Sequence, residues 1–327
     1  MLKLEYLHNN EELASMLLGN WEFDPESLHL FQYYRISSNA VYPFENAGEN
    51  QLLRFAPAAE KRKDNVRAEL EFIAYLRECG YGVLEAVASN TGEKLVEADT
   101  PWGAYYASVF KRVGGVQLGS TELSDHILYK YGEALGQLHQ LSSEYTPVEA
   151  ARWSHKDVLE WMLSVLAEFP WEEAAVAEAR LLIEYFSGQP VTTKNYGLTH
   201  YDFELDNVFY DEGTDTISAI DFDDAMYHWY AADIEQALDS LRGEVAPETY
   251  EHQKQCFMDG YAGWYNLPQE GPSMAACRRF ADLYGYVRIL RSAAEQSEHE
   301  PEWLITLRSR LAGACAAKAS RFSGPIR

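Results

Sequence analysis

One run of residues limits what this chain can be more than any other: Thr199-His200-Tyr201-Asp202-Phe203-Glu204-Leu205-Asp206-Asn207, followed by Ile220-Asp221-Phe222. Residues 208–210 and 216–220 read as short strands, and Asp211-Glu212-Gly213-Thr214-Asp215 between them has turn composition. If Asp211 faces Thr216, Asn207 falls opposite Ile220 and beside Asp221. Cross-strand neighbours stand roughly 5 Å apart. Such a hairpin brings an amide and a carboxylate to its open end, where one cation can bridge them. Magnesium takes a few such oxygens and completes its shell with phosphate and water. Phosphoryl transfer asks for this metal site and for a carboxylate that orients or deprotonates the acceptor hydroxyl. Asp202 is the candidate base; Asn207 and Asp221 are the candidate magnesium ligands.

The rest of the chain divides by hydrophobic period. Residues 10–18 read as a short helix. Residues 30–36, 40–44 and 51–55 read as strands. A strong helix is expected over 65–79, where Val66, Leu70, Ile73 and Leu76 form one stripe, ended by Gly80 and Gly82. Strands near 83–89 and 103–111 follow. Arg112-Val113-Gly114-Gly115 then reads as a hinge. The remainder is mainly helical, with helices expected over 124–141, 155–167, 171–188, 232–241, 247–264, 273–296 and 302–320. The class is α+β.

The catalytic run, the Ile220-Asp221-Phe222 strand and the helix end Leu135-Gly136-Gln137-Leu138-His139 resemble the aminoglycoside phosphotransferase and choline kinase-like group. These are small-molecule relatives of the protein kinases. The resemblance implies a two-lobed protein-kinase-like fold. Residues 1–111 would form a nucleotide-binding lobe, an antiparallel sheet with one helix. Residues 112–327 would form a helical lobe with the catalytic loop and the substrate pocket.

The chain departs from the family pattern at three places. Tyr201 stands where glycine is usual in the loop. Arg54, matching the strand lysine, would steady the nucleotide phosphates with Glu69 on the next helix as its partner; arginine keeps the charge but is longer and planar. Lys61 and Lys63 are alternative cations in a polar stretch. Ser37, Ser38 and Asn39 would cover the phosphates in a loop with no glycine. The adenine would lie under the hinge between Val109 and Val113, which adds Phe110 and Arg112 to the nucleotide contacts. His200 is expected to brace the loop, and the resemblance gives Asp233 an anchoring role.

Charge narrows the partners. With 27 Lys and Arg against 51 Asp and Glu, net −24, the chain repels nucleic acid and anionic membrane. No run of about 18 apolar residues spans a bilayer, and residues 1–21 lack the apolar region of a signal peptide. Cys79, Cys256, Cys277 and Cys315 show no metal-ligand spacing and suggest reduced thiols and a cytoplasmic home. The expected activity is an ATP- or GTP-dependent, magnesium-dependent kinase. Its acceptor would be a small-molecule hydroxyl of an aminoglycoside, choline, ethanolamine, homoserine or similar compound. Specificity is expected in the helices after Asp233, where aromatic residues such as Tyr261 and Tyr284 accompany Asp239 and Asp259. Two alternatives stand beside it: a serine/threonine protein kinase of the same fold, and a non-catalytic nucleotide-binding regulator. The oligomeric state leaves no trace in the sequence.

Overall fold

The computed structural model describes residues 1–294, 300–322 and 326. Helix α1 (Glu11–Leu18) begins where the Asn10 side chain accepts a hydrogen bond from Leu13 N, and it buries Leu13, Leu17 and Leu18. The strand expected over 30–36 is mostly replaced. A 3-10 segment spans Pro25–Tyr33, and only β1 (Arg35–Ile36) is extended. Pro25 at the first helical position presets the turn. The threefold repeat then sets Leu28 and Phe31 together against Trp21.

Strands β2 (Ala40–Asn46) and β3 (Glu49–Pro57) form a hairpin that leads into α2 (Lys63–Glu78). Then come β4 (Glu85–Val87), β5 (Val96–Thr100), which was not expected, and β6 (Gly103–Lys111). These six strands make one antiparallel sheet in the order β1-β2-β3-β6-β4, with β5 also pairing β6. Alternation along β3 sorts its side chains. Leu53 and Phe55 pack with Tyr42, Trp21 and Phe31 on the face that α1 covers. Arg54, between them, points the other way, to Glu69 on α2.

The remaining elements are β7 (Val116–Gln117), α3 (Asp125–Glu144), α4 (His155–Leu166), α5 (Glu173–Ser187), β8 (Tyr196–Thr199), β9 (Val208–Asp211), β10 (Thr216–Ala219), β11 (Met226–Trp229), α6 (Ala231–Glu244), α7 (Tyr250–Trp264), α8 (Met274–Ser292) and α9 (Glu302–Ala319). Each expected helix is present with shifted ends. The helix expected over 273–296 stops at Ser292, and residues 295 and 296 lie outside the described residues. β7, β8 and β11 escape sequence reading because each is at most four residues long and pairs with a distant partner.

One apolar cluster ties the sheet to the loop that carries the chemistry. Phe72, Ile73 and Leu76 of α2 pack with Phe110, Phe203, Val208 and Phe222. A second cluster joins α4, α5 and α8 around Phe186 and Trp229.

Helices α3 and α7 approach until backbone touches backbone, at Gly132 and Gly260. A Cβ added to Gly132 would overlap the Phe257 carbonyl, and one added to Gly260 would overlap the Tyr129 carbonyl. Gly132→Ala or Gly260→Ala should therefore force the helices apart and cost about 1–3 kcal/mol. Thermal melts of the two variants check this; an unchanged midpoint would mean that the helices do not pack so closely.

Candidate active site

The loop between β8 and β9 is held from behind by one buried carboxylate. Asp233, at the start of α6, is fully buried. Its Oδ2 accepts from His200 N (2.8 Å) and pairs with His139 Nε2 (3.1 Å), and its Oδ1 accepts from Tyr201 N (2.7 Å). Tyr261 supports His139 Nδ1 at 2.9 Å. His200 completes the brace. Asp202 N donates to His200 Nδ1 (3.2 Å), so Nε2 carries the proton and donates to Ile220 O (2.8 Å). Burial holds His200 below its ordinary pKa, as a neutral ring requires. This histidine is structural, as expected from the sequence.

Tyr201 adopts φ 59°, the left-handed region that glycine usually occupies. Its ring compensates by packing against His228, Phe280 and Tyr284 at centroid distances of 5.6, 5.8 and 5.9 Å. The departure from glycine thus has a packing cause.

Asp202 projects from this braced loop. Burial, then the charges of Asp224, Glu204 and Asp221, push its carboxyl well above the usual range, while Arg288 opposes them. Asn207 Nδ2 donates to Asp202 Oδ2 (2.8 Å) and to Asp202 O (3.0 Å). That leaves the Asn207 amide oxygen available as a ligand.

The hairpin has the expected register. Asp211 pairs Thr216, and Ile220 N donates to Asn207 O at 2.9 Å. The chain then turns sharply, with Asp221 at φ 61°, ψ 64°. Asp221 Oδ1 is buried with no hydrogen-bond partner. Burial and the neighbouring Asp223 raise its carboxyl to about 6. An orphaned, electrostatically stressed carboxylate, one residue on from the Ile220 bond to Asn207, fits a divalent cation.

The cations come from both sides. Arg54 donates to both carboxylate oxygens of Glu69, Nη1 at 2.6 Å and Nη2 at 2.9 Å. Its guanidinium lies 4.8 Å over the Phe110 ring, so Phe110 supports the cation. Lys61 Nζ donates to both oxygens of Asp223 (2.7 and 2.6 Å). Sequence reading left Lys61 in a polar loop; its apolar stem is largely buried there. Arg288 of α8 binds Asp224 through Nη1 and donates from Nη2 to Ser38 Oγ (2.8 Å). Asn39 is buried beside Arg54, Lys61 and Asp223, whereas Ser37 is exposed. Lys63 pairs with Glu97 on the surface. Arg112 is exposed, and its backbone N–H donates to Asn50 O (3.1 Å), so that donor is already used within the sheet.

Two cavities meet at this cluster. One of about 160 Å³ is lined by Asp202, Glu204 and Asp239 with Arg288. The other, about 660 Å³, includes Lys61, Trp153, Asp157, Glu160 and Trp161. Asp224, Tyr284 and Arg288 line both and form the wall between them. Trp153 and Trp161 precede Asp233, so the sequence-based search after that residue missed this half of the lining. Elsewhere, donor atoms of Asp125, His252 and Cys256 lie within 4.8 Å of one another, a grouping that cysteine spacing alone did not reveal.

The chain belongs to the phosphotransferase enzyme family, whose model matches residues 36–267. It is a small-molecule phosphotransferase, as the resemblance implied. Amicoumacin kinase of Bacillus subtilis (strain 168) is 26% identical over 234 residues, covering 71% of this chain and 68% of that protein. A solved amicoumacin kinase in complex with AMP-PNP, Ca2+ and Ami matches 99% of this chain and 98% of its own at TM-score 0.76 and 19% identity. A microcompartment-associated aminopropanol kinase matches 95% and 97% at TM-score 0.62 and 22% identity. These likenesses show a kinase-like fold. No helix among the described residues is long and apolar enough to cross a membrane.

The stressed carboxylate has a thermodynamic signature. Asp221 is raised from 3.8 to about 6, so its ionisation penalises the folded state above about pH 6, and the penalty fades as pH falls towards 4. Asp221→Asn should therefore stabilise the metal-free protein at pH 8, by roughly 1–3 kcal/mol. At pH 4–5 the gain should shrink. Denaturant melts at the two pH values in chelator check it; an equal gain at both would disprove the electrostatic origin.

Proposed function

We propose that this enzyme transfers the γ-phosphoryl group of ATP, taken as its magnesium complex, to a hydroxyl on an amine-bearing small molecule. The observation that carries the acceptor class is Glu204. It lines the Asp202 cavity, and among the described residues it makes no ion pair, although Lys318 lines the same cavity. Burial and the charges of Asp206 and Asp239 push its carboxyl up, and the opposing charge of Lys318 does not cancel them. An ammonium group there would relieve that stress and place the rest of the acceptor next to Asp202. The neighbouring Glu235 and Asp282 already hold Arg278, Lys318 and Arg321. A larger acceptor would extend past Asp224 into the cavity that Trp153 and Trp161 line.

The geometry supports the following roles. Asp202 accepts the hydroxyl proton. Asn207 and Asp221 would hold magnesium, which would neutralise phosphate charge when bound. Arg54, aimed by Glu69, steadies the phosphates nearer the sheet, and Ser38 and Asn39 cover them. The adenine is assigned to the hinge between Val109 and Val113. ATP is favoured over GTP because the solved amicoumacin kinase carries AMP-PNP, and that complex also contains a divalent cation, Ca2+.

The test is a magnesium-dependent phosphorylation screen with ATP and GTP over amino alcohols, amino sugars, amine-bearing antibiotics and their neutral counterparts. Turnover with ATP on amine-bearing compounds is expected; turnover confined to neutral alcohols would contradict the acceptor class. On the true acceptor, Asp202→Ala should lower kcat by about 10²–10⁴-fold and leave nucleotide affinity nearly intact. Near-normal turnover would remove Asp202 from the chemistry.

Arg54 and Glu69 should behave as one unit. Arg54→Lys should keep much of the activity, and Arg54→Ala should lose far more. Glu69→Ala should weaken activity, and the double variant should lose less than the sum of the two single losses. Steady-state kinetics on the four variants checks this. Small, additive effects would shift the phosphate role to Lys61.

A further inference from the structure

We infer that Arg288 is a second phosphate-contacting residue that stabilises the charge on the phosphoryl group while it is in transfer. This rests on the kinase reading above. Arg54, aimed by Glu69 through both terminal nitrogens (2.6 and 2.9 Å), sits on the sheet. Arg288 arrives from the opposite side, on α8, and touches the three parts that surround the transfer path. Its Nη1 binds Asp224, three residues after the metal-ligand candidate Asp221. Its Nη2 donates to Ser38 Oγ (2.8 Å), in the loop assigned to the phosphates. It shares the acceptor cavity with Asp202, whose carboxyl it pulls down against burial.

The side chain is built to stay there. Its guanidinium lies 5.0 Å over the Tyr284 ring, and its side chain is only 19% exposed. The arrangement mirrors Arg54, Glu69 and Phe110: a carboxylate aims the cation and an aromatic face supports it. Guanidinium has five donors in a fixed fork. Asp224 and Ser38 use two of them here, which leaves others for phosphate oxygens. In the reaction the acceptor oxygen bonds to the γ-phosphorus and its proton passes to Asp202. The bond from the γ-phosphorus to the β-γ bridging oxygen breaks, releasing ADP. Arg288 makes no covalent bond; it holds the equatorial charge, a task for which arginine is well suited.

The probes are MgADP with and without aluminium fluoride, followed by calorimetry. Because water can take the acceptor position, the acceptor need not be known. In the wild type, aluminium fluoride should tighten MgADP binding by at least about tenfold, and Arg288→Gln should abolish that gain while keeping MgADP affinity within about twofold. The slow MgATP hydrolysis by water should fall on the order of 10²–10³-fold, less than the range for a fully exposed arginine finger. Arg288→Lys should recover part of both. If Arg288→Gln does not fold, the Arg288→Gln/Asp224→Asn double variant, which leaves no unpaired charge, carries the same measurement. Undiminished tightening in the variant, or none in the wild type, would overturn the role of Arg288. Failure of the wild type to bind MgADP at all would instead overturn the functional reading.

Discussion

Crowded negative charge is the constraint around which this cleft is organised. Asp202, Asp221, Asp223 and Asp224 are brought together at the end of one loop and one hairpin, largely out of water. Like charges that close raise one another's pKa unless cations intervene. Lys61 from the sheet side answers Asp223, and Arg288 from the helical side answers Asp224. Burial works against ionisation at both carboxylates, yet each is held below its usual range. Asp202 and Asp221 make no ion pair of their own, and burial and the neighbouring carboxylates outweigh the pull of Arg288 on the one and of Arg54 on the other, so both are pushed up. The pair left stressed is the pair to which chemistry is assigned, one to take a proton and one to hold a metal. Carboxylates perturbed by burial and neighbouring charge are a recurring mark of functional sites.

This charge pattern can be held only because the backbone beneath it is rigid. Asp233 accepts from two successive loop amides and from His139, and the His200 ring ties the loop to the Ile220 carbonyl. Arg152 adds a separate tie. It is buried and donates to the carbonyl oxygens of Ala225 (2.5 Å) and Asn65 (2.6 Å), and it also binds the carbonyl of Asp223. One side chain therefore links the exit of the metal strand to the start of α2, the helix that carries Glu69. The aromatic cluster of Phe72, Phe203 and Phe222 lies under the same junction.

Sequence and structure agree best where chemistry dictates spacing. The hairpin from Asn207 to Asp221 was readable because turn composition and a two-residue period leave one register. The stripe of Val66, Leu70, Ile73 and Leu76 marked α2, and with it the position of Glu69. The partnership of Arg54 and Glu69 followed from the resemblance and is present as a bidentate pair. The segment near Leu30 was misread because its apolar residues suit a strand or a 3-10 turn equally well, and burial of Leu28 and Phe31 against Trp21 decided between them.

By itself the sequence determined the class of chemistry, since His200, Asp202, Asn207 and Asp221 stand within 22 residues and their spacing survives any packing of the rest. It also determined the order of the helices and the acidic balance. The tertiary structure decided which cations meet which carboxylates. Lys61 and Asp223 are 162 residues apart, and Arg288 and Ser38 are 250 apart. No local periodicity encodes such pairs, because they depend on how the sheet and the helices close over one cleft. The same closure decided that Trp153 and Trp161 line the large cavity, and that Tyr201 adopts a left-handed backbone for the sake of where its ring packs.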